Sequence, residues 1–301
     1  KFKRGFMSFG NEKIGVIGNG FVGGAVANGF IQKGLNVFVY DKCPNRSLDP
    51  IEDVLSCDFV FVCLPTPMKS ADGSDADLSI IIQFFEYVNL VEAFDAIYVL
   101  KSTVPVGTTE MLSSLNEKIK LVHNPEFLTA ANAKEDFLNA ERTVIGGPEN
   151  LTKIVSNLFM DYFCMDRNKI CKKPILMNSK ASELVKYSAN TFLALKVSFF
   201  NMVFEFSHKN NINFDDVIEG VCSDSRIGYS HSNVPGPDGD YGYGGTCFPK
   251  DINAMIRMMD RFDVDSLLLK ASWHYNKNRR KNWDWADNPS AVTEKILNAN
   301  E

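Results

Sequence analysis

The sequence Ile-Gly-Val-Ile-Gly-Asn-Gly-Phe-Val-Gly at residues 14–23 decides the fold of this chain. Its first four residues predict a short buried strand, and the glycine turn that follows leads into a helix. Val22, Val26 and Phe30 share one face of that helix, and Gly34 ends it. A strand, a glycine-rich turn and a helix in this order predict the beginning of a parallel α/β sheet.

Further apolar runs alternate with helical or loop segments along the first half of the chain. They lie at 35–40, 59–64, 96–100, 119–122 and 143–145. This alternation predicts a doubly wound parallel sheet of the Rossmann type, and we assign residues 1–175 to it. Such sheets bind ligands at the carboxyl ends of their strands, which directs attention to the residues after each run.

The glycine turn has the spacing of a dinucleotide-binding fingerprint, and the N-terminus of its helix can hold a pyrophosphate. Asp41 ends the next strand, where a ribose hydroxyl would lie, and its charge favours NAD over NADP, although Lys42 beside it weakens this preference slightly. The alternatives are a purely structural turn and a solvated aspartate. The candidate cofactor-binding residues are Gly18, Gly20, Phe21, Val22, Gly23, Asp41, Lys42, Pro65, Thr66, Ser102 and Thr103.

The second half of the chain has a helical character. Residues 179–208 contain no Gly or Pro and carry apolar side chains on almost every face, which predicts a long helix that is buried on several sides. Together with 212–222 and 252–276 it predicts an all-helical domain over 176–285, followed by a short tail at 286–301. We expect the long helix to link the two domains and to contribute to a subunit interface.

The stretch Gly-Gly-Thr-Cys-Phe-Pro-Lys-Asp at 244–251 places a thiol, a cation and a carboxylate behind two glycines. A thiol attacks a carbonyl as its thiolate, which a neighbouring ammonium such as that of Lys250 favours. The glycines allow a substrate to approach the backbone closely. Cys247 is therefore the candidate catalytic nucleophile.

Two further positions carry candidate catalytic groups. Lys186 and Asn190 are four residues apart on the predicted long helix, so they share a face and can act on one substrate, or they are surface polar residues of a buried helix. Glu126, in Asn-Pro-Glu-Phe-Leu at 124–128, is a general base or a turn carboxylate.

Composition excludes several classes of function. A net charge of −5 argues against nucleic acid or an anionic membrane surface as the main partner. No apolar run approaches the roughly 20 residues of a membrane span, so we expect a cytoplasmic protein. The odd number of cysteines, seven, and the spacing of the four histidines predict neither a disulfide framework nor a metal site. The basic run 277–281 is typical of a solvated helix face.

Taken together, these segments closely resemble the UDP-glucose/GDP-mannose 6-dehydrogenase family, and most of all its UDP-glucose 6-dehydrogenase members. The resemblance covers nearly the whole chain. It rests on six motifs in order: 18–23, Leu-Pro-Thr-Pro at 64–67, Lys-Ser-Thr-Val-Pro-Val-Gly at 101–107, 124–128, Lys186 with Asn190, and 244–251.

The resemblance implies oxidation of the C6 alcohol of a nucleotide-linked hexose to a carboxylate, with two NAD molecules used in turn and a role in polysaccharide biosynthesis. In that family the thiol captures the aldehyde as a thiohemiacetal, which is oxidised to a thioester and hydrolysed. It implies that Cys247 is the nucleophile, that Lys186 and Asn190 stabilise the oxyanion, that Asp251 with Thr103 holds a base or water, and that Glu126 assists hydrolysis. The implied substrate-binding residues are Glu126, Phe127, Leu128, Lys186, Asn190, Arg226 and Gly244.

Arg226 matches a family arginine that reaches a substrate across a subunit interface, which implies a homodimer or a higher homo-oligomer. The sequence departs from the family at two points. Relatives usually carry a third, nucleotide-clamping domain, whereas this chain ends at Glu301 and resembles a short form. Ala130 stands where many relatives have an acid that could support binding or hydrolysis.

Two other functions remain open on these residues. A single-step hydroxyacid dehydrogenase of similar architecture would use Lys186 and Asn190 without needing Cys247. A truncated NAD-binding homologue without activity would bind NAD and form no NADH.

Overall fold

The computed structural model describes residues 11–129, 132–164 and 173–293. The chain divides into two compact units, Lys1–Pro65 with Leu78–Lys186, and Thr66–Asp77 with Tyr187–Glu301. The first unit holds a seven-stranded sheet, and the second is helical, which confirms the predicted fold class. The division differs from the boundary at 175/176 expected from the sequence.

The sheet is built from short strands that are separated by helices. The strands are β1 (Lys13–Ile17), β2 (Asn36–Tyr40), β3 (Phe59–Val62), β4 (Ile97–Leu100), β5 (Lys120–His123), β6 (Val144–Gly146) and β7 (Ile175–Met177). The helices of this unit are α1 (Phe21–Gln32), α2 (Ile51–Leu55), α3 (Ser79–Leu90), α4 (Thr108–Ser113), α5 (Ala133–Leu138) and α6 (Glu149–Phe163).

The strand order is β2-β1-β3-β4-β5-β6-β7, and the neighbours run parallel except at β5 and β6, which pair antiparallel through His123 and Gly146. The order reverses between β1 and β3, and this switch point brings the carboxyl ends of both strands beside the glycine turn. All strands expected from the sequence are present. The seventh, β7, has only three residues, and its pattern was too short to predict.

Both faces of the sheet are covered, as continuous apolar strands require. Phe30 of α1 packs against Phe61 of β3 with ring centroids 5.1 Å apart, and Phe137 and Phe159 join them on that face. Val60, Tyr98, Leu100 and other residues form the core on the opposite face. The buried strands hold their carboxyl ends in a fixed row, and Asp41, Ser102 and Glu126 follow three of these ends.

The second unit contains the helices α8 (Phe214–Cys222), α9 (Phe248–Arg261) and α10 (Leu267–Arg279). The long helix α7 (Ser179–Lys209) begins in the first unit and continues into the second, within one residue of its predicted C-terminal end. The predicted helical segment 252–276 is divided into two helices by residues 262–266. Among the described helices, none combines the length and the apolar character that crossing a bilayer requires.

Residues 66–77 leave the sheet and pack within the helical unit, which the sequence did not predict. Trp285 Nε1 donates to Ala71 O at 3.0 Å, and Met68 N donates to Ala291 O at 2.6 Å. Trp285, Ala291 and Val292 are buried in the core of this unit. The described part of the expected tail, up to Thr293, is therefore folded structure.

The described cysteines are free at 43, 57, 63, 222 and 247. Cys164, by contrast, is disulfide-bonded, which the odd number of cysteines did not indicate. Cys63 is half-buried after β3, and burial raises the pKa of its thiol to about 12. This agrees with the packing role expected for Cys63.

Candidate active site

The three glycines of the turn between β1 and α1 are required for three different reasons. Gly18 has φ of 90°, and a Cβ there would lie 2.5 Å from Cys63 O. A Cβ on Gly23 would lie 1.8 Å from Gly18 O, so only glycine lets the helix begin so close to the turn. Gly20 has no atom within 4 Å of its Cβ position, which leaves open space for a ligand.

The N-terminus of α1 is suited to an anion. Gly20 is its N-cap, and no side chain caps the described first turn or places a carboxylate there. Phe21, which is exposed, and half-buried Val22 are the first helical residues, so their backbone amides lie at the positive end of the helix dipole.

Asp41 lies beside this turn and is not simply a solvated residue. Its carboxylate accepts hydrogen bonds from Asn19 N at 2.7 Å and from Cys43 N at 2.8 Å. Lys42 is exposed. The structure adds Arg46, which the sequence reasoning missed: its carbonyl accepts from Asn19 Nδ2 at 2.8 Å, so its loop is tied to the glycine turn.

The ends of β3 and β4 are tied together by Ser102, whose hydroxyl donates to Leu64 O at 2.6 Å. Thr103 is buried in the next position. Pro65 is exposed at the end of the first unit, and Thr66 is buried as the first residue of the segment that joins the second unit. The hydroxyl of Ser102 is therefore committed to the backbone.

Glu126 and Lys186 form a buried ion pair in the first unit. The Nζ atom of Lys186 lies 2.9 Å from Glu126 Oε1, and the two side chains are 4% and 7% exposed. Leu128 N donates to Glu126 Oε2 at 2.7 Å. Burial raises the pKa of Glu126, but Lys186, the Leu128 amide and Lys101 together hold it below its usual range. Glu126 is therefore an ionised carboxylate at neutral pH, able to accept a proton.

A second buried cation, Lys101, lies close to this pair. Its Nζ donates to Asn124 Oδ1 at 2.9 Å, and Asn124 Nδ2 donates to Val144 O at 2.7 Å. Burial lowers the pKa of Lys101 to about 8. His123 is fully buried with Nδ1 2.8 Å from Ser182 Oγ, and burial lowers its pKa to about 3, as expected of a core histidine.

Phe127 lies between two cations, with Lys186 Nζ 5.5 Å and Arg142 Cζ 3.9 Å from its ring centroid. Leu128 is half-buried and packs against the core. A cavity of about 800 Å³ within the first unit adjoins this loop and is lined by Lys101, 124–129 and 135–143. Its volume suits a nucleotide-sized ligand. Arg142 was not recognised in the sequence, where it follows an unremarkable charged segment.

In the second unit, Cys247 is the N-cap of α9 and is half-buried. Pro249 occupies the first turn of that helix. The Sγ atom lies 3.7 Å from Thr246 Oγ1. The helix dipole favours the thiolate at this position, a reason that the sequence pattern alone did not give.

Asp251, one turn into α9, is 1% exposed and is held on both oxygens. Asn190 Nδ2 donates to Oδ2 at 2.6 Å, and Lys250 Nζ pairs with Oδ1. The structure thus brings together Asn190 and Asp251, which the sequence separates by sixty-one positions. It also places the Lys250 ammonium on a carboxylate.

Gly244 and Gly245 differ from the expectation that both leave room for a substrate. A Cβ on Gly244 would lie 2.1 Å from Arg280 Nη2 and 2.4 Å from Asp284 Oδ1, so the protein itself fills that face. Gly245 has φ of 73° and no atom within 4 Å of its Cβ position. Of these two glycines, Gly245 is the one with open space beside it.

Arg226 is 87% exposed and pairs with Asp224 at 2.5 Å. Lys196 holds the same loop by donating to the carbonyls of Ile227 and Gly228 at 2.7 and 2.9 Å. The guanidinium is therefore displayed at the surface of the second unit. Ala130 lies outside the described residues.

Comparison with known proteins identifies both units. Residues 46–162 match the NAD binding domain of the UDP-glucose/GDP-mannose dehydrogenase family, and residues 180–278 match its central domain. The NAD binding match confirms the cofactor that was predicted from the sequence.

The chain is 35% identical over 230 residues to UDP-glucose 6-dehydrogenase of Pseudomonas aeruginosa, which is 73% of this chain and 48% of that protein. It is 31% identical over 268 residues to UDP-glucose 6-dehydrogenase of Rhizobium meliloti, covering 83% of this chain and 58% of the relative. The chain spans about half the length of the curated relatives it matches.

A solved UDP-glucose dehydrogenase from Pyrobaculum islandicum superimposes with a TM-score of 0.78 at 27% identity, covering 90% of this chain and 69% of that chain. The two domain matches together cover more than two thirds of the sequence, and the central-domain match includes the thiol motif at 244–251. The chain belongs to the UDP-glucose/GDP-mannose dehydrogenase family, of which it carries the NAD binding and central domains.

Proposed function

We propose that this protein oxidises the C6 alcohol of a nucleotide sugar to a carboxylate with NAD, and that UDP-glucose is its substrate. The observation that carries the proposal is the half-buried thiol of Cys247 at the N-terminus of α9, in the same unit as the Asn190–Asp251 pair. Family membership supports the nucleotide sugar, since the matched relatives are UDP-glucose 6-dehydrogenases.

Bound NAD supplies the hydride acceptor, one molecule for each oxidation step. Loss of a hydride and a proton from the C6 alcohol gives an aldehyde, which the Cys247 thiolate attacks to form a C–S bond and a thiohemiacetal. Loss of a second hydride and proton gives a thioester. Water then breaks the C–S bond, which releases the carboxylate and restores the thiol.

The charged groups fit these steps. The ionised Glu126 takes a proton from the water that attacks the thioester, and its position beside Lys186 keeps it deprotonated. Lys186 and Asn190 stabilise the oxyanion of the thiohemiacetal. Asp251 and Thr103 orient the base or the water. Phe127 and Leu128 contact the sugar nucleotide.

We further propose that the protein acts as a cytoplasmic homodimer, with Arg226 reaching the substrate bound by its partner. Phe192, Phe199 and Phe206 lie seven residues apart on α7 and are 65%, 52% and 65% exposed, and Met202 continues the same stripe. This spacing is typical of a helix seam that a second helix covers. We propose that a second copy of the chain covers this stripe, because the proposed role of Arg226 needs a partner subunit.

A panel of nucleotide sugars assayed with NAD and with NADP tests the proposed reaction. We expect two NADH for each molecule of UDP-glucose oxidised. Cys247→Ala should retain NAD binding and lose at least about a thousandfold in turnover, because the nucleophile is gone. Cys43→Ala, which removes an exposed thiol, is the matched control and should leave turnover unchanged.

The outcomes separate the other functions. One NADH per substrate with full activity in Cys247→Ala would indicate the single-step hydroxyacid type, in which Lys186 and Asn190 suffice. Tight NAD binding with no NADH from any nucleotide sugar would indicate a binding protein.

A further inference from the structure

A buried ion cluster holds the loop before Cys247. Arg280 follows α10, and only 2% of its side chain is exposed. Its Nη2 lies 2.6 Å from Asp238 Oδ2 and 3.0 Å from Asp284 Oδ1. A buried guanidinium is costly unless its charge is balanced, and the two aspartates provide that balance. The basic run that contains Arg280 is thus not a uniformly solvated helix face.

The cluster contacts the backbone directly behind the thiol. Gly245 N donates to Asp284 Oδ2 at 2.9 Å, and Arg280 Nη2 occupies the space where Gly244 would carry a Cβ. Two residues of chain span at most about 7 Å, so the cluster lies close to the position of Cys247. Glycine at 244 is required by the cluster.

Neighbouring residues hold the rest of the loop from the same side. Asn276 of α10 accepts from Tyr243 N at 2.7 Å and donates to Tyr243 O at 2.9 Å. Gly242 N donates to Asn201 Oδ1 at 2.9 Å. Each of these hydrogen bonds joins the loop backbone to the side chain of Asn276 or Asn201, so the loop conformation depends on side chains that are distant in sequence.

We propose that Arg280 is a positioning residue: by bridging Asp238 and Asp284 it holds the loop 238–245 behind Cys247 and offsets two carboxylates that would otherwise disfavour the thiolate. The catalytic consequence rests on the proposed function, but the holding of the loop does not. Both carboxylates are held by Nη2, while Nη1 of the same planar guanidinium donates to Tyr241 O at 3.4 Å, so arginine ties the two aspartates to the loop backbone. Lysine keeps the charge without this planar arrangement of donors.

Two variants separate charge from geometry, and a third is the matched control. Arg280→Met removes both the charge and the hydrogen bonds, and Arg280→Lys keeps the charge but removes the planar guanidinium that also reaches Tyr241 O. Arg279→Met removes the adjacent arginine, which is half-exposed on its side chain and pairs with Glu205. Amide hydrogen exchange of 238–247, iodoacetamide alkylation of Cys247 at pH 7 and the melting temperature are measured for each.

In Arg280→Met we expect the loop amides to exchange about tenfold faster, because the acceptor Asp284 loses its partner. Alkylation of Cys247 should slow by about threefold or more, since two uncompensated carboxylates disfavour the thiolate and access to a half-buried thiol is already open. Arg280→Lys should show the fast exchange with alkylation near the wild-type rate. Arg279→Met should match the wild type in both.

If the wild type oxidises a nucleotide sugar, Arg280→Lys should lower kcat by about tenfold with the KM for NAD unchanged, because the glycine turn belongs to the other unit. If it oxidises none, the proposed function fails while exchange and alkylation still decide the role of Arg280. Asp284→Asn replaces Arg280→Met if that variant does not fold, and should give faster exchange with alkylation no slower than wild type.

Loop exchange within twofold of wild type in Arg280→Met would overturn the holding role. If the loop amides exchange fast in the Arg280 variants while Cys247 alkylation and kcat stay at the wild-type values, Arg280 only stabilises the loop, and its positioning role is overturned.

Discussion

At the scale of single residues, the environment of a charge decides what it can do. Glu126 and Glu149 each pair with a lysine, but the first pair is buried and the second is exposed on α6. In a buried pair, the removal of one partner leaves an uncompensated charge, whereas an exposed pair is screened by water. Removing one partner should therefore lower the free energy of unfolding more at the buried Glu126–Lys186 pair than at the exposed Glu149–Lys153 pair.

We expect Glu126→Gln to destabilise the protein by about 3 kcal/mol at pH 7 and to leave thioester hydrolysis as the slow step. Lys186 holds the pKa of Glu126 below its ordinary value, so this stabilisation is present above that ordinary value and is lost as the pH falls through the depressed one. Urea unfolding between pH 7 and pH 3 should show the wild-type advantage shrinking with acid. Glu149→Gln is the control and should show no measurable loss; a loss independent of pH would contradict this account.

Lys101 gives a dependence of the same sign at alkaline pH, because a destabilising buried charge is removed there. Burial lowers its pKa to about 8 from 10.5, so between these values the unfolded chain binds a proton that the native protein lacks, and stability from this group rises with pH. The full gain is up to about 3 kcal/mol. In Lys101→Met, the free energy of unfolding should no longer show this rise between pH 7.5 and pH 10. Lys153→Met, on exposed α6, should keep it, and identical slopes for Lys101→Met and wild type would exclude the effect.

At the scale of elements, the structure explains why some segments could be predicted. The strand β1, the glycine turn and α1 are adjacent in sequence, so the local pattern of apolar residues and glycines is enough to predict them. Thr66–Asp77 could not be placed in this way, because its partners Trp273, Trp285 and Ala291 lie some two hundred residues away. Strand β7 was missed because its three-residue pattern is too short, and the burial of Arg280 was missed because its partner Asp238 lies 42 residues away.

The turn between β1 and α1 allows a test in which three glycines behave differently. Gly20→Ala should fold normally, since its φ of −82° suits alanine and its surroundings are open, but should weaken NAD binding by about tenfold because the methyl group occupies the ligand face. Gly23→Ala should destabilise the protein by several kcal/mol, since its Cβ would overlap Gly18 O. Gly24→Ala, with its nearest neighbour at 3.4 Å, is the control.

Calorimetric melting and titration with NAD measure these two effects separately. Wild-type affinity in Gly20→Ala would show that the pyrophosphate does not lie against this residue.

At the scale of the whole molecule, the exposed aromatic residues on α7 require an explanation. A monomer has no reason to display Phe192, Phe199 and Phe206 along one stripe, because each exposed ring costs hydrophobic free energy that burial would recover. A partner chain that covers the stripe would also bring a second Arg226 loop near. Assembly and catalysis are then linked through the second unit.

The double substitution Phe199→Glu with Phe206→Glu should convert the proposed dimer into a monomer in sedimentation velocity, because two buried carboxylates per chain oppose association by more than about a hundredfold. Phe262→Glu is the matched control, since this side chain is equally aromatic and more exposed but lies after α9, away from the stripe. NAD binding should be unchanged in both, as the cofactor turn belongs to the first unit, while turnover should fall only in the monomer, which lacks the partner's arginine. A wild-type chain that sediments as a monomer, or a control that dissociates equally, would remove the stripe from consideration as the interface.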